Sequence, residues 1–181
     1  NSAPRLDVAD MPRPIDMHDS VWIEDLTMLE VRDLIKDGAT TALVLTGGTM
    51  GEAVLEAVRT ARNDSAVPWG RDNVWWGDER WLPAGDVERN DTLARRALLD
   101  HIPVDPARVH PMPASDGGLD LDAAAIAYEA EIAAAAPSHL SLPPFDIVFL
   151  GVGPDGHVAS LFTNADGVQE RDRLVITVRN S

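Results

Sequence analysis

At 181 residues the chain is long enough for one well-buried domain and too short for two ordinary ones; 45% hydrophobic and 25% charged residues are the proportions of a soluble globular protein. A formal net charge of −15 argues against nucleic acid or an anionic membrane as partner, because neutralising phosphates needs a basic face. The lack of cysteine excludes disulfides, thiolate zinc sites and cysteine nucleophiles.

Residues 1–19 are rich in proline and charge and show no hydrophobic period, so an irregular arm is expected there, followed by a single α/β domain over 20–181. No apolar run is long enough to span a bilayer, and NSAPRLDVADMPRP is neither basic nor followed by a secretory hydrophobic stretch; the visible chain reads as cytoplasmic. Leu26, Leu29, Val31, Leu34 and Ile35 recur near helical spacing, with Thr27 and Glu30 as a capping box and Gly38 as a stop. Lys36, the single lysine, falls at the exposed end of that helix, which disfavours a Schiff-base mechanism. The run TTALVLT at 40–46 is a buried strand leading into Gly47, Gly48 and Thr49, and a helix over about 51–62 should bury Ala53, Val54, Ala57, Val58 and Ala61. Loop amides and a helix dipole pointing at one spot make a phosphate cradle, although a glycine pair after a strand serves equally as a tight connection.

NVWWGDERWLP reads as a strand ending in Asp78, Glu79 and Arg80. A guanidinium there suits phosphate because its planar fork gives two hydrogen bonds, yet taken alone the triplet equally describes a surface ion-pair cluster. Arg89 and Asn90 are expected in a loop, before a helix that buries Leu93, Ala97 and Leu98 and turns Arg95 and Arg96 to solvent. His101 and His110 flank a proline-rich loop and neither recommends itself as a ligand. An alanine-rich amphipathic helix over 119–136 assigns Tyr128 and Glu129 to packing, and His139 is exposed in the loop that follows.

The most informative stretch is FDIVFLGVGPDGHVASLF at 145–162. Residues 146–150 are nearly all apolar, which suits a strand covered on both faces as in a parallel sheet. Gly151, Gly153 and Gly156 turn the chain sharply and bring backbone N–H groups near a ligand; Pro154 and Asp155 suit a turn that opens a helix, with His157 at its start. Ligands of open α/β sheets bind outside the carboxyl ends of strands, and helix N-termini attract anions. A histidine after a glycine turn is nevertheless more often a solvated or capped residue than a catalyst. A last strand is expected over 174–178.

These residues also carry a resemblance. The 145–162 stretch resembles the signature of the 6-phosphogluconolactonase family; the related glucosamine-6-phosphate deaminases share a G-x-G-x-x-G-H turn, but Ala159-Ser160-Leu161-Phe162 favours the lactonases. NVWWGDERWLP is similar to that family's W-G-D-E-R-x-V-P element, Gly47-Gly48-Thr49 to its G-G-x-T loop, which is usually longer or richer in glycine or serine, and His110-Pro111-Met112 to a further segment. The resemblance runs from about residue 47 to 181, whereas 14–48 resembles the opening of the creatininase family of metal amidohydrolases without its ligands: Met50 stands near the glutamate position and no histidine follows before His101.

What the resemblance implies is a Rossmann-like α/β domain, a largely parallel sheet with helices on both faces, that hydrolyses 6-phosphoglucono-1,5-lactone to 6-phosphogluconate in the oxidative pentose phosphate pathway. His157 would be the general base, with backbone N–H groups of the glycine turn on the oxyanion. Substrate contacts would come from Gly47, Gly48, Thr49, Asp78, Glu79, Arg80, Asn90, Gly153, Asp155 and Gly156, with Arg80 and the 47–49 loop on the phosphate. The partner is a small sugar-phosphate lactone, with no metal or other cofactor, nucleic acid or membrane; the oligomeric state stays open. Lactonases continue beyond this point, so an incomplete domain, truncated at its C-terminus and with an exposed sheet edge, is expected. Two alternatives remain: a sugar-phosphate isomerase or deaminase of the same fold, and an inactive fragment or noncatalytic sugar-phosphate-binding module.

Overall fold

A computed structural model describes residues 42–60, 69–153, 155–162 and 166–179. The expected N-terminal arm, the helix at 26–38 and most of the creatininase-like stretch lie outside them. Strand β1 (Ala42–Leu45) is central, flanked by β2 (Asn73–Trp76) and β3 (Ile147–Val148) in the order β2-β1-β3, and both pairings are parallel. All four residues of β1 are buried, as the apolar run ALVL requires of a strand covered on both faces.

Strand alternation sorts the core into two layers. Leu43, Leu45, Val74 and Trp76 face one side, where they meet Leu55 of helix α1 (Gly48–Thr60) and Ala94 and Ala97 of α2 (Asn90–Ala97). Val44 and Trp75 face the other, against Tyr128 and Ile132 of α3 (Leu121–Ala135). Burying Leu43 and Leu45, 4% and 2% exposed, contributes about 1.5–3 kcal/mol each. The Tyr128 hydroxyl accepts the Trp76 N–H at 3.0 Å and ties α3 to β2. A parallel sheet with helices on both faces is thus the observed architecture, as the α/β pattern predicts.

Several expectations need correction. The 146–150 strand is ordered as β3 over two residues only, and it is not covered on both faces: Val148 is 47% exposed and Leu150 61%. Among the described residues β3 has a neighbour on one side alone, so its apolar run borders an open edge. Residues 174–178 do not form a strand. They lie along α3, where helix side chains take the place of a ladder: Arg173 Nε donates to Glu129 Oε2 at 2.7 Å, Leu174 N–H to Glu129 Oε1 at 3.3 Å, and Arg179 Nη2 to both Asp122 oxygens at 2.8 Å. Helix α1 begins at Gly48, so Gly48 and Thr49 belong to its first turn; it buries Gly51 and Leu55 and leaves Ala53 exposed. The larger Leu55 decides the inner face, and Gly51 allows the close approach, since a Cβ there would stand 2.7 Å from the Thr46 carbonyl oxygen. Arg89 and Asn90 are not in a loop: Arg89 is the N-cap of α2, Asn90 its first residue, and both are buried.

Candidate active site

Because Leu45 pairs with Trp76, β1 and β2 end level, and Gly77 N–H donates to the Leu45 carbonyl at 2.9 Å. The chain leaving them supplies Gly47 and Asp78 at the carboxyl edge of the sheet, where α/β folds place ligands. Two segments hydrogen-bond to Asp78. Asn90 Nδ2, from the start of α2, donates to the Asp78 carbonyl at 2.9 Å and lies 3.3 Å from its Oδ1; Ser160 Oγ, 82 residues along the chain, donates to Oδ2 at 2.9 Å. Gly47 completes this corner, because a Cβ there would come within 1.7 Å of Asn90 Oδ1. Gly48, at φ 75°, and Thr49 form the exposed first turn of α1 at the same edge.

The turn that carries His157 is held by its own backbone. Gly153 N–H donates to the His157 carbonyl at 2.8 Å and Gly156 N–H to the Gly153 carbonyl at 2.9 Å, while Val158 and Leu161 pair across a two-residue bend. Two expectations fall here. No helix starts at His157, since Gly156 at φ 84° and Ala159 at φ 53° lie in the left-handed region that a right-handed helix excludes. The amides of Gly153 and Gly156 are spent inside the turn, so they do not offer themselves to an oxyanion.

His157 rests on Gly153, where a Cβ would meet Cε1 at 2.1 Å, and its ring centroid is 4.7 Å from that of Phe162. Nδ1 is hydrogen-bonded to Asp155 Oδ1, and chiefly through this bond the Asp155 carboxyl is held below the usual carboxylate range. An ionised carboxylate only accepts, so Nδ1 carries the hydrogen and a neutral ring presents its lone pair at Nε2.

Glu79 occupies a different environment from the one expected. Its side chain is 4% exposed, and its carboxylate accepts the N–H groups of Arg80 and Asn90, both at 2.7 Å, and of Asp91 at 2.9 Å, capping α2. Burial pushes its carboxyl upward against those bonds and against the Arg89 guanidinium 3.4 Å away. Its oxygens are therefore occupied by protein. Arg80 is exposed, and its guanidinium makes no hydrogen bond or ion pair among the described residues.

A groove of about 710 Å³ runs from Asp78 and Arg80 past Ser160 to Tyr128 and the 174–178 segment, with Trp75 in its wall; Ala159, Ser160 and Leu161 line it and His157 does not. A shallower hollow of about 340 Å³ between α3 and residues 173–177 shares Val175, Ile176 and Thr177 with that groove but includes none of Asp78, Arg80, Ser160 and His157. Among the described residues no group of three or more His, Cys, Asp or Glu side chains is placed to hold a metal ion, and no helix is long and apolar enough to cross a membrane. Residue-by-residue reading misses the parts of Arg89 and Ser160. Ser160 follows His157 in a short mixed stretch with no hydrophobic period of its own, and Arg89 reads like any loop arginine. The Asp78-Glu79-Arg80 triplet at the strand end marks where their partners gather.

Comparison with known proteins gives the family and the fold. The family model described as glucosamine-6-phosphate isomerases/6-phosphogluconolactonase matches residues 23–181, beginning inside the stretch that resembles a creatininase opening. A 6-phosphogluconolactonase of Streptomyces coelicolor is 51% identical over 146 residues, covering 78% of this chain and 56% of that protein, and one of Mycobacterium leprae is 49% identical over 141 residues, covering 77% and 56%. The chain thus spans about half the length of these relatives. The crystal structure of 6-phosphogluconolactonase from Thermotoga maritima superposes with a TM-score of 0.71 at 26% identity, covering 88% of this chain and 66% of that one. A monomeric glucosamine-6-phosphate deaminase, at 20% identity and a TM-score of 0.63, covering 75% of this chain and 53% of that one, shares the fold. The chain belongs to the glucosamine-6-phosphate isomerase/6-phosphogluconolactonase family.

Proposed function

We propose that the protein hydrolyses 6-phosphoglucono-1,5-lactone to 6-phosphogluconate, a cytoplasmic reaction on a free sugar phosphate, with His157 as general base. The observation that carries this reading is the Asp155–His157 hydrogen bond, which leaves Nε2 as proton acceptor in a turn clasped to Asp78 through Ser160. Nε2 takes a proton from water as its oxygen attacks the lactone carbonyl carbon. The tetrahedral intermediate collapses by breaking the bond to the ring oxygen, which receives that proton from the imidazolium, and the ring opens to the acid. General-base assistance of this kind contributes about 100-fold to 10,000-fold. Arg80, exposed and unengaged among the described residues, and the first-turn amides of α1 at Gly48 and Thr49 would hold the phosphate. The isomerase or deaminase reading rests on the shared fold, the G-x-G-x-x-G-H turn and a family model common to both activities, and Ala159-Ser160-Leu161-Phe162 speaks against it.

The test uses the full-length natural protein. His157→Ala lowers kcat by about 100-fold or more with little change in KM, and His157→Gln does not restore it, because an amide cannot accept the proton. Normal turnover by both folded variants refutes the mechanism.

A further inference from the structure

Arg89 is 1% exposed, and its guanidinium is directed almost wholly at backbone. Nη1 donates to the Leu82 carbonyl at 3.1 Å and lies 3.5 Å from that of Arg80; Nη2 donates to the Met112 carbonyl at 2.8 Å and stands 3.4 Å from Glu79 Oε2. Glu79 in turn accepts the Arg80 N–H at 2.7 Å. The two peptide groups flanking Arg80 are therefore gripped from within by one ion pair, while its own side chain stays exposed. A Leu82 N–H bond to the Arg80 carbonyl at 2.9 Å closes the bend.

We propose that Arg89 is a positioning residue, which with Glu79 clamps the Arg80 backbone so that its guanidinium is aimed at the substrate phosphate. This rests on the phosphate role given to Arg80 above. Stability alone does not account for the pair: buried ion pairs are often no better than apolar side chains of similar volume, and Arg89 Nε has no hydrogen-bond partner among the described residues. Nor does the pair add net charge to the site, because the two charges are equal and opposite. What the fork supplies is geometry, two arms fixing two carbonyls from separate loops.

Arg89→Lys keeps the charge and loses the fork. In the full-length protein it raises KM for 6-phosphoglucono-1,5-lactone about tenfold, changes kcat by less than about twofold, and leaves KM for glucono-1,5-lactone nearly unchanged. In an Arg80→Ala background the same substitution adds no further rise. Should the lysine variant fail to fold, Arg89→Gln, with one amide in place of the fork, gives the same reading. An equal rise on both lactones, or independent effects of Arg80→Ala and Arg89→Lys, overturns the inference while leaving the proposed reaction intact. If Arg80→Ala alone does not discriminate between the two lactones, the phosphate assignment falls and the clamp with it.

Discussion

At the end of β2 the Arg89 and Glu79 side chains are 2% and 4% exposed, whereas in the glycine turn His157 and Asp155 are 29% and 61% exposed. Both are pairs of opposite character joined across a short distance, yet solvent treats them differently. A buried pair feels a low effective dielectric and is costly to break; an exposed one is screened and contributes little to stability. The difference matches the work proposed for each. Holding a phosphate calls for fixed geometry, and activating water calls for access.

The sharpest test makes the same chemical change in both places. Glu79→Gln sets an NH2 donor against the backbone N–H groups that the carboxylate accepts and should cost about 3 kcal/mol, read as a fall in the urea midpoint. Asp155→Asn should leave that midpoint where it is and lower kcat by at least about tenfold, because an amide no longer fixes the Nδ1–H tautomer. Equal stability losses would erase the distinction between the two halves.

A smaller effect is expected from adding one methyl group. Gly47→Ala drives a Cβ into Asn90, which is pinned by Asp78, and should cost about 1–3 kcal/mol. Gly153→Ala meets the half-exposed His157 ring, which can swing away, so activity should drop with little change in thermal midpoint.

The smallest effect concerns acid. Thr177 and Arg179 hold Asp122, and Arg173 holds Glu129, below the usual carboxylate range. Their pairing contributes stability above the ordinary carboxylate pKa, and that contribution is lost as pH falls through their lower folded values. Protection of the Leu174 amide, its exchange corrected for the intrinsic pH dependence, should therefore fall below about pH 4. Glu79 has the opposite sign: its raised value makes the folded state the better proton acceptor, so its titration favours the fold as pH falls toward the ordinary range. Unchanged protection at Leu174 in acid would show that apolar contacts, not the carboxylates, hold the segment to α3.

Much of the buried half was legible in the sequence. The apolar runs at ALVL and NVWW mark two strands, and a charged triplet after the second marks the sheet's carboxyl edge. The family signature singles out His157. What could not be read was how each segment is covered. An apolar run at 146–150 states composition, not on how many sides it is paired, and Pro154-Asp155-Gly156 suits a reverse turn as readily as a helix start. Arg89 was hidden for another reason: it binds the carbonyls of Leu82 and Met112, and backbone acceptors leave no trace in a sequence.

The spacing of contacts along the chain gives the two halves different assembly costs. Asn90 reaches Glu79 across 11 residues, whereas Ala42 N–H reaches the Asp146 carboxylate across 104 and Ser160 reaches Asp78 across 82. Loop-closure entropy grows with the logarithm of length, so a contact spanning about 100 residues costs about 2 kcal/mol more to close than one spanning about 10. The Glu79 cap on α2 can form from local chain alone, while the clasp that seats His157 must wait for strands brought together from distant parts of the chain.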